Sequence, residues 1–408
     1  MTGLTNVGLF AGIGGIELGF ERAGHRTELL CEVDPAAQRV LRTRFPGVPL
    51  VPDIRDLKSL PKVDIVAAGF PCQDLSQAGA TAGIKGTKSG LVDEVFRLVT
   101  KPKRGPTWLL IENVSFMLHL EGGRAMAHLT ERLSDLGFAW AYRLVDTRAF
   151  GLPQRRQRVI MVASRTDDPR PAVFCGEAPS NEQVRPDGRA NGFYWTEGLK
   201  GLGWAIDAVP TLKGGSTIGI PSAPAIWTPD GRICTPDIRD AERLQGFDAD
   251  WTAPSVDDPD RRNGPRWKLV GNAVSVPVAH WAGQQLAGTG QTYAGEDELL
   301  QPGQPWPRAA WGRDYKAHRV DVGLWPEQHQ YQHLADFLFY PLRPLSERAL
   351  TGFLSRANRS SLRFPEGLLE SVGRQLAVTS SHPLVLGKRV PRAKPDGQLA
   401  LEMPRVTQ

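Results

Sequence analysis

The sequence is poor in cysteine and has no long apolar run. Its 408 residues include four cysteines, and no two of them form a Cys-x-x-Cys pair. That spacing argues against a disulfide framework and a zinc site, and it is typical of a reducing compartment. No apolar stretch approaches the ~20 residues of a membrane helix, and the first residues lack the basic and apolar regions of an export signal. We therefore expect a cytoplasmic protein without a metal.

An excess of positive charge is absent from the first three quarters of the chain. Residues 1–300 carry 34 Lys/Arg and 35 Asp/Glu, whereas residues 301–408 carry 15 and 9. This distribution favours a polyanionic partner for the last quarter, although a solvated basic surface would give the same pattern. With 41% hydrophobic and 23% charged residues, the composition is otherwise that of a globular protein of two or three domains.

Residues 6–10 are apolar and predict a strand, and a glycine-rich loop follows them. The loop reads Gly12-x-Gly14-Gly15 and precedes a predicted helix. Its glycines allow a tight turn and a close approach of the backbone to a ligand, at the positive end of the helix. A dinucleotide-binding loop would read Gly-x-Gly-x-x-Gly, and no phosphate-binding lysine follows here. The pattern therefore favours S-adenosylmethionine, a nucleoside ligand without pyrophosphate, over NAD.

Two acidic residues follow the next predicted elements. Glu32 comes directly after the apolar residues 27–31 and lies 17 residues beyond Gly15, close to the ~20 expected of such a unit. A carboxylate there can accept hydrogen bonds from both ribose hydroxyls of a nucleoside. Asp53 follows the predicted helix of residues 35–45 and is placed to accept from an adenine amino group. The two acids strengthen the prediction of an adenosine-containing cofactor.

A cysteine follows the apolar residues 63–68, which predict a buried strand. The turn after that strand reads Gly69-Phe70-Pro71-Cys72-Gln73. A thiol at the carboxyl end of a strand, beside the glycine-rich loop of an earlier strand, is a candidate nucleophile. A buried structural cysteine is the other interpretation. Residues 74–90 are rich in Gly, Ser, Thr and Lys, which predicts a loop that closes over a substrate.

A carboxylate and three arginines are predicted at the same edge of the sheet. Glu112 follows the apolar residues 107–111, and its carboxylate suits an ion pair, a helix cap or a proton donor to a ring nitrogen. Three arginines precede the predicted strand of residues 159–163, in the segment Gln154-Arg155-Arg156-Gln157-Arg158. An arginine at the start of that strand points to the ligand edge only if the strand is antiparallel to its neighbours.

Eight blocks of the sequence, taken in order, resemble the DNA (cytosine-5-)-methyltransferases. They are Phe10-x-Gly12-x-Gly14-Gly15, Glu32, Asp53, Gly69-Phe70-Pro71-Cys72-Gln73, Glu112-Asn113-Val114, Gln154-x-Arg156-x-Arg158, Arg243-Leu244-Gln245-Gly246-Phe247, and Gly271-Asn272-Ala273-Val274-x-Val276-Pro277. The resemblance covers residues 5–165 and 208–287. One departure is Gly8, where many members of the family carry an acidic residue.

The resemblance implies a role for each matching residue. Cys72 resembles the nucleophile that attacks carbon 6 of cytosine, and Glu112 resembles the acid at ring nitrogen 3. Arg158, with Arg156 beside it, resembles the group that orients the base and the glutamate. The cofactor contacts implied are Phe10, Gly12, Gly14, Gly15, Glu32, Asp53, Ile54, Pro71, Asn272 and Val274. The DNA contacts implied are Gln73, Ser76, Arg155, Gln245 and Gly246.

The fold implied is α/β, a Rossmann-like S-adenosylmethionine-dependent methyltransferase core with a mixed, mostly parallel sheet. The expected domains are a catalytic core, a small irregular target-recognition domain, a helix returning to the core, a linker and a basic, mostly helical extension. Their ranges are 1–165, 166–270, 271–287, 288–312 and 313–408. In the recognition region, the aromatic residues 193–195 are either a small core or base contacts.

Three helices are predicted in the extension, at residues 328–340, 346–356 with Ser346 as the cap, and 365–376. Six arginines recur between residues 343 and 374. A small helical DNA-binding extension is the favoured interpretation, and a dimer or partner surface is the alternative.

The predicted function is methyl transfer from S-adenosylmethionine to carbon 5 of a flipped-out cytosine in a specific duplex DNA site, through a covalent Cys72 adduct. The resemblance suggests a prokaryotic restriction-modification or phage-defence methylase, associated with the nucleoid. One alternative is the tRNA-methylating branch of the same core, although its Cys-Phe-Thr tripeptide is missing from this sequence. Another is an inactive DNA-binding homologue, against which the presence of Cys72, Glu112 and Arg158 argues.

Overall fold

The computed structural model describes residues 3–70, 90–100, 105–180, 188–215, 223–257, 263–288, 292–295 and 297–380. None of the helices in these ranges combines the length and hydropathy of a membrane span. Numbered along the chain, the strands are β1 (Thr5–Leu9), β2 (Arg26–Cys31), β3 (Leu50–Val51), β4 (Ile65–Ala68), β5 (Trp108–Val114), β6 (Ala139–Asp146), β7 (Gln154–Arg155), β8 (Gln157–Ser164), β9 (Asn191–Phe193), β10 (Ala205–Ile206), β11 (Val209–Pro210), β12 (Ala225–Trp227), β13 (Ile233–Thr235), β14 (Glu298–Leu299), β15 (Ala309–Arg313), β16 (Lys316–Arg319) and β17 (Arg343–Pro344).

The helices connect and cover these strands. They are α1 (Gly15–Arg22), α2 (Pro35–Arg44), α3 (Leu91–Thr100), α4 (Arg124–Asp135), α5 (Pro171–Phe174), α6 (Ile238–Leu244), α7 (Gly264–Asn272), α8 (Val276–Ala287), α9 (Leu334–Phe337), α10 (Glu347–Ala357) and α11 (Leu368–Ser380). Short 3-10 turns lie at Ile54–Asp56, Ser115–Leu118, Leu120–Gly123, Thr147–Phe150 and Ala253–Ser255.

A mixed central sheet organises the molecule. Its strand order is β14-β16-β15-β6-β8-β5-β4-β1-β2-β3. The five strands from β3 to β5 are parallel, and β8 is antiparallel to both β5 and β6. This mixed α/β sheet is the architecture predicted from the sequence, and it provides the antiparallel strand that the arginine segment required.

Helices cover both faces of the sheet, so the core has three layers. Alternate residues of a strand point to opposite faces. Accordingly Ile65 and Ala67 of β4 pack with α1 and α8, whereas Val66 and Ala68 pack with α3 and α4. All four side chains are fully buried. Strands that are buried on both faces need continuous apolar runs, which explains why these strands could be predicted from the sequence.

Residues after α8 return to the central sheet. Strand β15 pairs antiparallel with β6, and β16 pairs with β15. The expectation of a linker over residues 288–312 is therefore wrong for β14 and for residues 309–312, which are strand residues of the sheet. Their Gly- and Pro-rich surroundings suggested a loop, but Ala309 and Ala310 are buried, and Trp306 packs its ring 6.0 Å from that of Trp140. Packing on an existing sheet outweighs the local composition.

A second sheet underlies the recognition region, with the order β10-β9-β12-β13-β17. Its last strand comes from the predicted extension, and α10 and α11 cover one of its faces. Phe193 and Ile233 of the sheet lie in one apolar cluster with Leu350, Phe353 and Val372. Residues 343–380 therefore share a core with the recognition region, and we propose that they belong to that domain rather than to a separate extension.

The helices predicted after residue 313 are found in part. The side chain of Ser346 accepts a hydrogen bond from the amide of Ala349, so it caps α10 as expected. The helix predicted over residues 328–340 is wrong for most of its length, because only Leu334–Phe337 is helical. The third helix begins at Leu368, a few residues later than expected. Residues 313–319 are strand and turn, so the extension is less helical than predicted.

A buried carboxyl group lies between α1 and β1. Glu17 is 1% exposed, and among the described residues neither of its carboxyl oxygens has a hydrogen-bond partner. A Cβ at position 8 would lie 1.8 Å from Glu17 Oε1, so Gly8 is what leaves room for this side chain. Burial raises the pKa of Glu17 from 4.5 to about 8.

We predict that Glu17 makes the folding stability fall as the pH rises from about 5 to about 8. The unfolded carboxyl loses its proton near pH 4.5 and the folded one near pH 8, so each pH unit between costs on the order of 1 kcal/mol. Glu17→Gln cannot ionise. Its gain in the free energy of unfolding over the wild type should grow through this window and stay constant above it, as denaturant titrations at each pH would show.

The matched control for Glu17 is Glu131→Gln, which changes an exposed carboxyl on α4. We expect the control to differ from the wild type by an amount that hardly varies with pH. A pH-independent difference for Glu17→Gln as well would contradict the prediction.

Candidate active site

An ion pair joins the ends of β5 and β8. Arg158 Nε lies 3.0 Å from Glu112 Oε1, and both side chains are about 10% exposed. The register pairs Val114 with Arg158 and Glu112 with Ile160, so Arg158 and Glu112 are diagonal neighbours on one face of the sheet. The antiparallel direction of β8 is what brings the first residues of that strand to the carboxyl end of β5.

The neighbouring turn after β4 is fixed to the same strand. Asn113 Nδ2 donates a hydrogen bond of 3.0 Å to the carbonyl of Phe70. A Cβ on Gly69 would be 3.6 Å from Glu112 Oε2, so the carboxyl group lies directly over this glycine. The backbone that leads to Pro71 and Cys72 is thus held beside Glu112.

Four of the predicted site residues lie outside the described residues. They are Pro71, Cys72, Gln73 and Ser76. Their roles stay predictions, and what the structure contributes is the position of Phe70, two residues before Cys72 in the chain.

The glycine-rich loop forms a tight turn at the carboxyl end of β1. Gly14, the N-cap residue before α1, has a φ of 84°, and a Cβ there would lie 2.2 Å from the Phe45 ring. Gly12 has a φ of 58° and open space on its Cβ side. Phe10 adopts a φ of 57°, which is unfavourable for a residue with a side chain, and its ring meets that of Phe70 edge-on at 6.4 Å. Strain of this kind is typical of a functional loop.

Glu32, directly after β2, contacts the glycine-rich loop. Its Oε2 accepts a hydrogen bond of 2.8 Å from the Gly12 amide, and its Oε1 accepts one of 2.8 Å from the Asp34 amide. Burial raises the pKa of Glu32, although these backbone hydrogen bonds oppose the effect. Each carboxyl oxygen keeps a second lone pair. The group can therefore still accept hydrogen bonds from a ligand above the loop.

The two predicted contacts on the next segment differ in placement. Asp53 binds the side chain of Arg55, whose hydrogen bonds lower the pKa of the carboxyl to about 2. An acid that stays ionised in this way remains an acceptor at neutral pH. The side chain of Ile54 is 3% exposed and belongs to the core, so any cofactor contact of this residue would have to come from its backbone.

Arg156 does not lie in the Glu112 ion pair. It is 1% exposed, and its guanidinium donates to the carbonyls of Leu212 at 3.2 Å, Gly271 at 3.4 Å and Ala273 at 2.5 Å. It thereby ties the start of β8 to the recognition region and to the end of α7. In place of the expected catalytic role, we propose that Arg156 positions these segments.

Gln245 and Gly246 are buried at a junction. Gln245 is 0% exposed, and its side chain bonds the Val270 carbonyl at 2.9 Å and the Ser275 hydroxyl at 2.7 Å. Gly246 has a φ of 85°, and a Cβ there would be 2.4 Å from Pro277. No polar atom of the Gln245 side chain is left for DNA. We propose that this pair has a structural role in place of the predicted DNA contact.

The last predicted residues lie at the edges of the cofactor loop and the sheet. The carbonyl of Val274 would be 2.5 Å from a Cβ on Gly15, so the segment after α7 closes on the glycine-rich loop. Asn272 is exposed beside Gly214. The carbonyl of Arg155 accepts a 2.9 Å hydrogen bond from the Thr211 hydroxyl. A DNA contact by the Arg155 side chain stays a prediction.

Among the described residues, no group of three or more His, Cys, Asp or Glu side chains is arranged to hold a metal. The arrangement at the sheet edge is instead a paired carboxylate and guanidinium, with a strained glycine-rich loop and a second carboxylate on the neighbouring strands. The paired carboxylate can hold a proton at a ring nitrogen of a bound base, and the glycine-rich loop with the second carboxylate can bind a nucleoside.

The sequence and the fold both match known proteins. Residues 4–189 match the family model of the C-5 cytosine-specific DNA methylases. Over 384 residues the chain is 49% identical to the type II methyltransferase M2.BsuMI of Bacillus subtilis (strain 168), and the match covers 90% of this chain and 97% of that protein. The chain belongs to the C-5 cytosine-specific DNA methylases. The methylase is thus a DNA (cytosine-5-)-methyltransferase, which confirms the family and the enzyme class predicted from the sequence.

Two further likenesses are narrower. The methylase is 36% identical to the type II methyltransferase M.BanI of Aneurinibacillus aneurinilyticus over 190 residues, 44% of each chain. Its fold matches the crystal structure of the S. pombe Dnmt2 methyltransferase with a TM-score of 0.50, over 70% of this chain and 98% of that one. At 14% identity that likeness concerns the fold alone, and it agrees with the predicted α/β fold of the core.

Asn113 is a site residue to which sequence reasoning assigned no role. It belongs to a matching block, and a short amide side chain directly after Glu112 is well suited to reach a neighbouring backbone. The resemblance implies that Arg158 orients the glutamate, with Arg156 beside it. In the structure Arg158 contacts Glu112, whereas Arg156 donates to backbone carbonyls.

We predict that Asn113→Ala lowers the rate of methyl transfer more than it lowers stability. The variant removes the hydrogen bond to Phe70, worth about 1 kcal/mol, and loosens the turn that precedes Cys72. Single-turnover rates and thermal melting of the variant test this. Thr130→Ala is the control, since it removes a buried side-chain hydrogen bond within α4. Equal losses of rate in the two variants would contradict the role of Asn113.

Proposed function

We propose that the methylase transfers a methyl group from S-adenosylmethionine to carbon 5 of a flipped-out cytosine in a specific duplex DNA site. The observation that carries the proposal is the Glu112–Arg158 ion pair at the carboxyl end of β5, beside the turn that leads to Cys72. The family and the enzyme class agree with it.

The loop after β1 suits S-adenosylmethionine. Gly12 leaves open space at the surface of the loop, and the carboxyl of Glu32 lies on the adjacent strand end with lone pairs available for ribose hydroxyls. The ring of Phe10 stands at the mouth of the loop, where it can contact an adenine face. When bound, this cofactor supplies the methyl group as an electrophilic sulfonium. Asp53 and Asn272 are the other side chains that we propose as contacts.

Carbon 5 of cytosine is a poor nucleophile, and the protein has to activate it. We propose that the thiolate of Cys72 adds to carbon 6, which pushes an electron pair towards carbon 5 and ring nitrogen 3. Glu112 takes up a proton as the base enters the site and shares it with nitrogen 3, which stabilises the charge that develops there. Carbon 5 then takes the methyl group, and the broken sulfur–methyl bond leaves S-adenosyl-L-homocysteine as the product. Carbon 5 loses its proton to a base or a water, the double bond between carbons 5 and 6 re-forms, and the thiolate is expelled.

Arg158 keeps Glu112 in place for this step. Its guanidinium fixes one carboxyl oxygen at 3.0 Å and leaves Oε2 directed over Gly69. The target cytosine has to leave the duplex to reach these groups, at a cost of a few kcal/mol. The recognition region is joined to the segment before β8 through Arg156 and Thr211. We propose that it contacts the DNA around the extruded base.

The relatives suggest the biological setting. The two relatives described above are both type II methyltransferases. We propose that this methylase likewise protects DNA as part of a restriction-modification system, in the cytoplasm in association with the nucleoid. The domain order expected from the sequence remains our proposal, with residues 343–380 moved into the recognition domain.

Duplex DNA with 5-fluorocytosine at the target base should trap the covalent adduct. Fluorine cannot leave carbon 5 as a proton does, so the bond from Cys72 to carbon 6 should persist. We expect mass spectrometry to map one modified peptide, which contains Cys72. Cys72→Ser should form no adduct, and the control variant Cys175→Ser should form as much as the wild type. If the wild-type protein methylates unmodified DNA but forms no adduct with the 5-fluorocytosine DNA, the covalent step is contradicted.

Methyl transfer to substrates of different classes tests the proposal as a whole. We expect transfer to duplex DNA that contains the recognised site, and bisulfite sequencing of DNA from an expressing host would locate that site. Transfer to tRNA in place of DNA, or no transfer with any substrate, would overturn the proposal.

A further inference from the structure

A turn of the recognition region is held by a helix from the carboxyl-terminal part of the chain. Arg356 of α10 donates a hydrogen bond of 2.8 Å from Nε to the Glu197 carbonyl and one of 2.6 Å from Nη2 to the Trp195 carbonyl. The Ser360 hydroxyl donates at 3.0 Å to the Leu199 carbonyl. Three hydrogen bonds, to the carbonyls of residues 195, 197 and 199, thus hold this turn against the end of α10 and the residues just after it.

The same turn is connected to the catalytic strand. The hydroxyl of Tyr194 donates at 2.6 Å to the Thr211 carbonyl, and the Thr211 hydroxyl donates to the Arg155 carbonyl. Arg155 lies three residues before Arg158, at the end of β8 that meets Glu112. The turn therefore lies two side-chain contacts from the active edge of the central sheet.

Positive charge is concentrated around this turn. Lys200, Arg359 and Arg363 are exposed, and none of them has a carboxylate partner among the described residues. The nearby acid Glu197 is already neutralised by Lys213, whose Nζ lies 2.6 Å from Glu197 Oε1. Arg359 Nε donates a hydrogen bond of 3.1 Å to the Ser355 carbonyl, one residue before Arg356 in α10. Burial, and then the charge of Arg359, lower the pKa of Arg356.

We propose that Lys200, Arg359 and Arg363 form a phosphate-binding surface that contacts the DNA backbone beside the flipped cytosine. Arg356 and Ser360 are its positioning residues, since their donors are used on the backbone of the turn. This inference rests on the proposed function. It assigns the end of α10 to DNA binding, and it commits to the backbone of duplex DNA because the exposed groups are flexible cations without the paired, base-reading geometry of a specific contact.

The experiment compares two double variants that remove the same charges. Lys200→Gln/Arg359→Gln changes the proposed surface. Arg313→Gln/Lys316→Gln is the control, because these exposed residues lie at the turn between β15 and β16. That turn lies beside the amino end of β6. Glu112 is near the carboxyl end of β5, so the turn and Glu112 are at opposite ends of the strands of the sheet.

Binding of duplex DNA is measured over a range of salt concentrations for both variants and the wild type. Each lost phosphate contact lowers the slope of log K against log salt by about 0.9, so the surface variant should lose about two units of slope. The control should keep the wild-type slope. The loss of affinity in the surface variant should be largest at low salt, because the lost contacts are electrostatic.

Two outcomes would overturn the inference. If the wild type binds and methylates DNA and the salt slope of Lys200→Gln/Arg359→Gln is unchanged, the phosphate-binding surface alone is overturned. An equal loss of slope in the control pair would do the same, because the effect would then reflect net charge. A wild-type protein that transfers no methyl group to DNA would overturn the proposed function, and this surface with it.

Discussion

The ion pair between Glu112 and Arg158 is the contact on which the rest of the site depends. Two nearly buried charges are tolerable only when they are paired, and removing one partner leaves the other without compensation. The pair forms because β8 runs antiparallel in a sheet that is otherwise parallel from β3 to β5. The reversed direction of β8 relative to β5 thus brings Arg158, at the start of β8, to the carboxyl end of β5.

Several other contacts build outward from that edge. Asn113 fixes the turn after β4, and Arg156 ties the start of β8 to the recognition region and to the end of α7. Glu32 closes the cofactor loop two strands away. The consequence is that catalytic groups, cofactor loop and recognition region share one rigid edge, so a shift of β8 would disturb all three. Such preorganisation is what electrostatic stabilisation of a developing charge requires.

The sequence predicted this edge better than it predicted the rest of the chain. Buried strands such as β4 and β5 are continuous apolar runs, and the acids and glycines at their ends are short-range signals. Arg156 and Arg158 lie two residues apart in the same segment, and the carbonyl partners of Arg156 come from distant parts of the chain that no local pattern reveals. Strand β15 and the packing of α10 and α11 depend on partners far away in the chain, such as Gln375 on Ile233, which no local pattern reveals.

A double-mutant cycle on the ion pair tests the central claim most directly. Single-turnover methyl transfer would be measured for the wild type, Glu112→Gln, Arg158→Gln and the double variant. If Arg158 acts by holding Glu112, each single variant should lose at least about a hundredfold in rate and the double variant should lose little more. Losses that multiply in the double variant would show that the two residues act independently and would contradict the account.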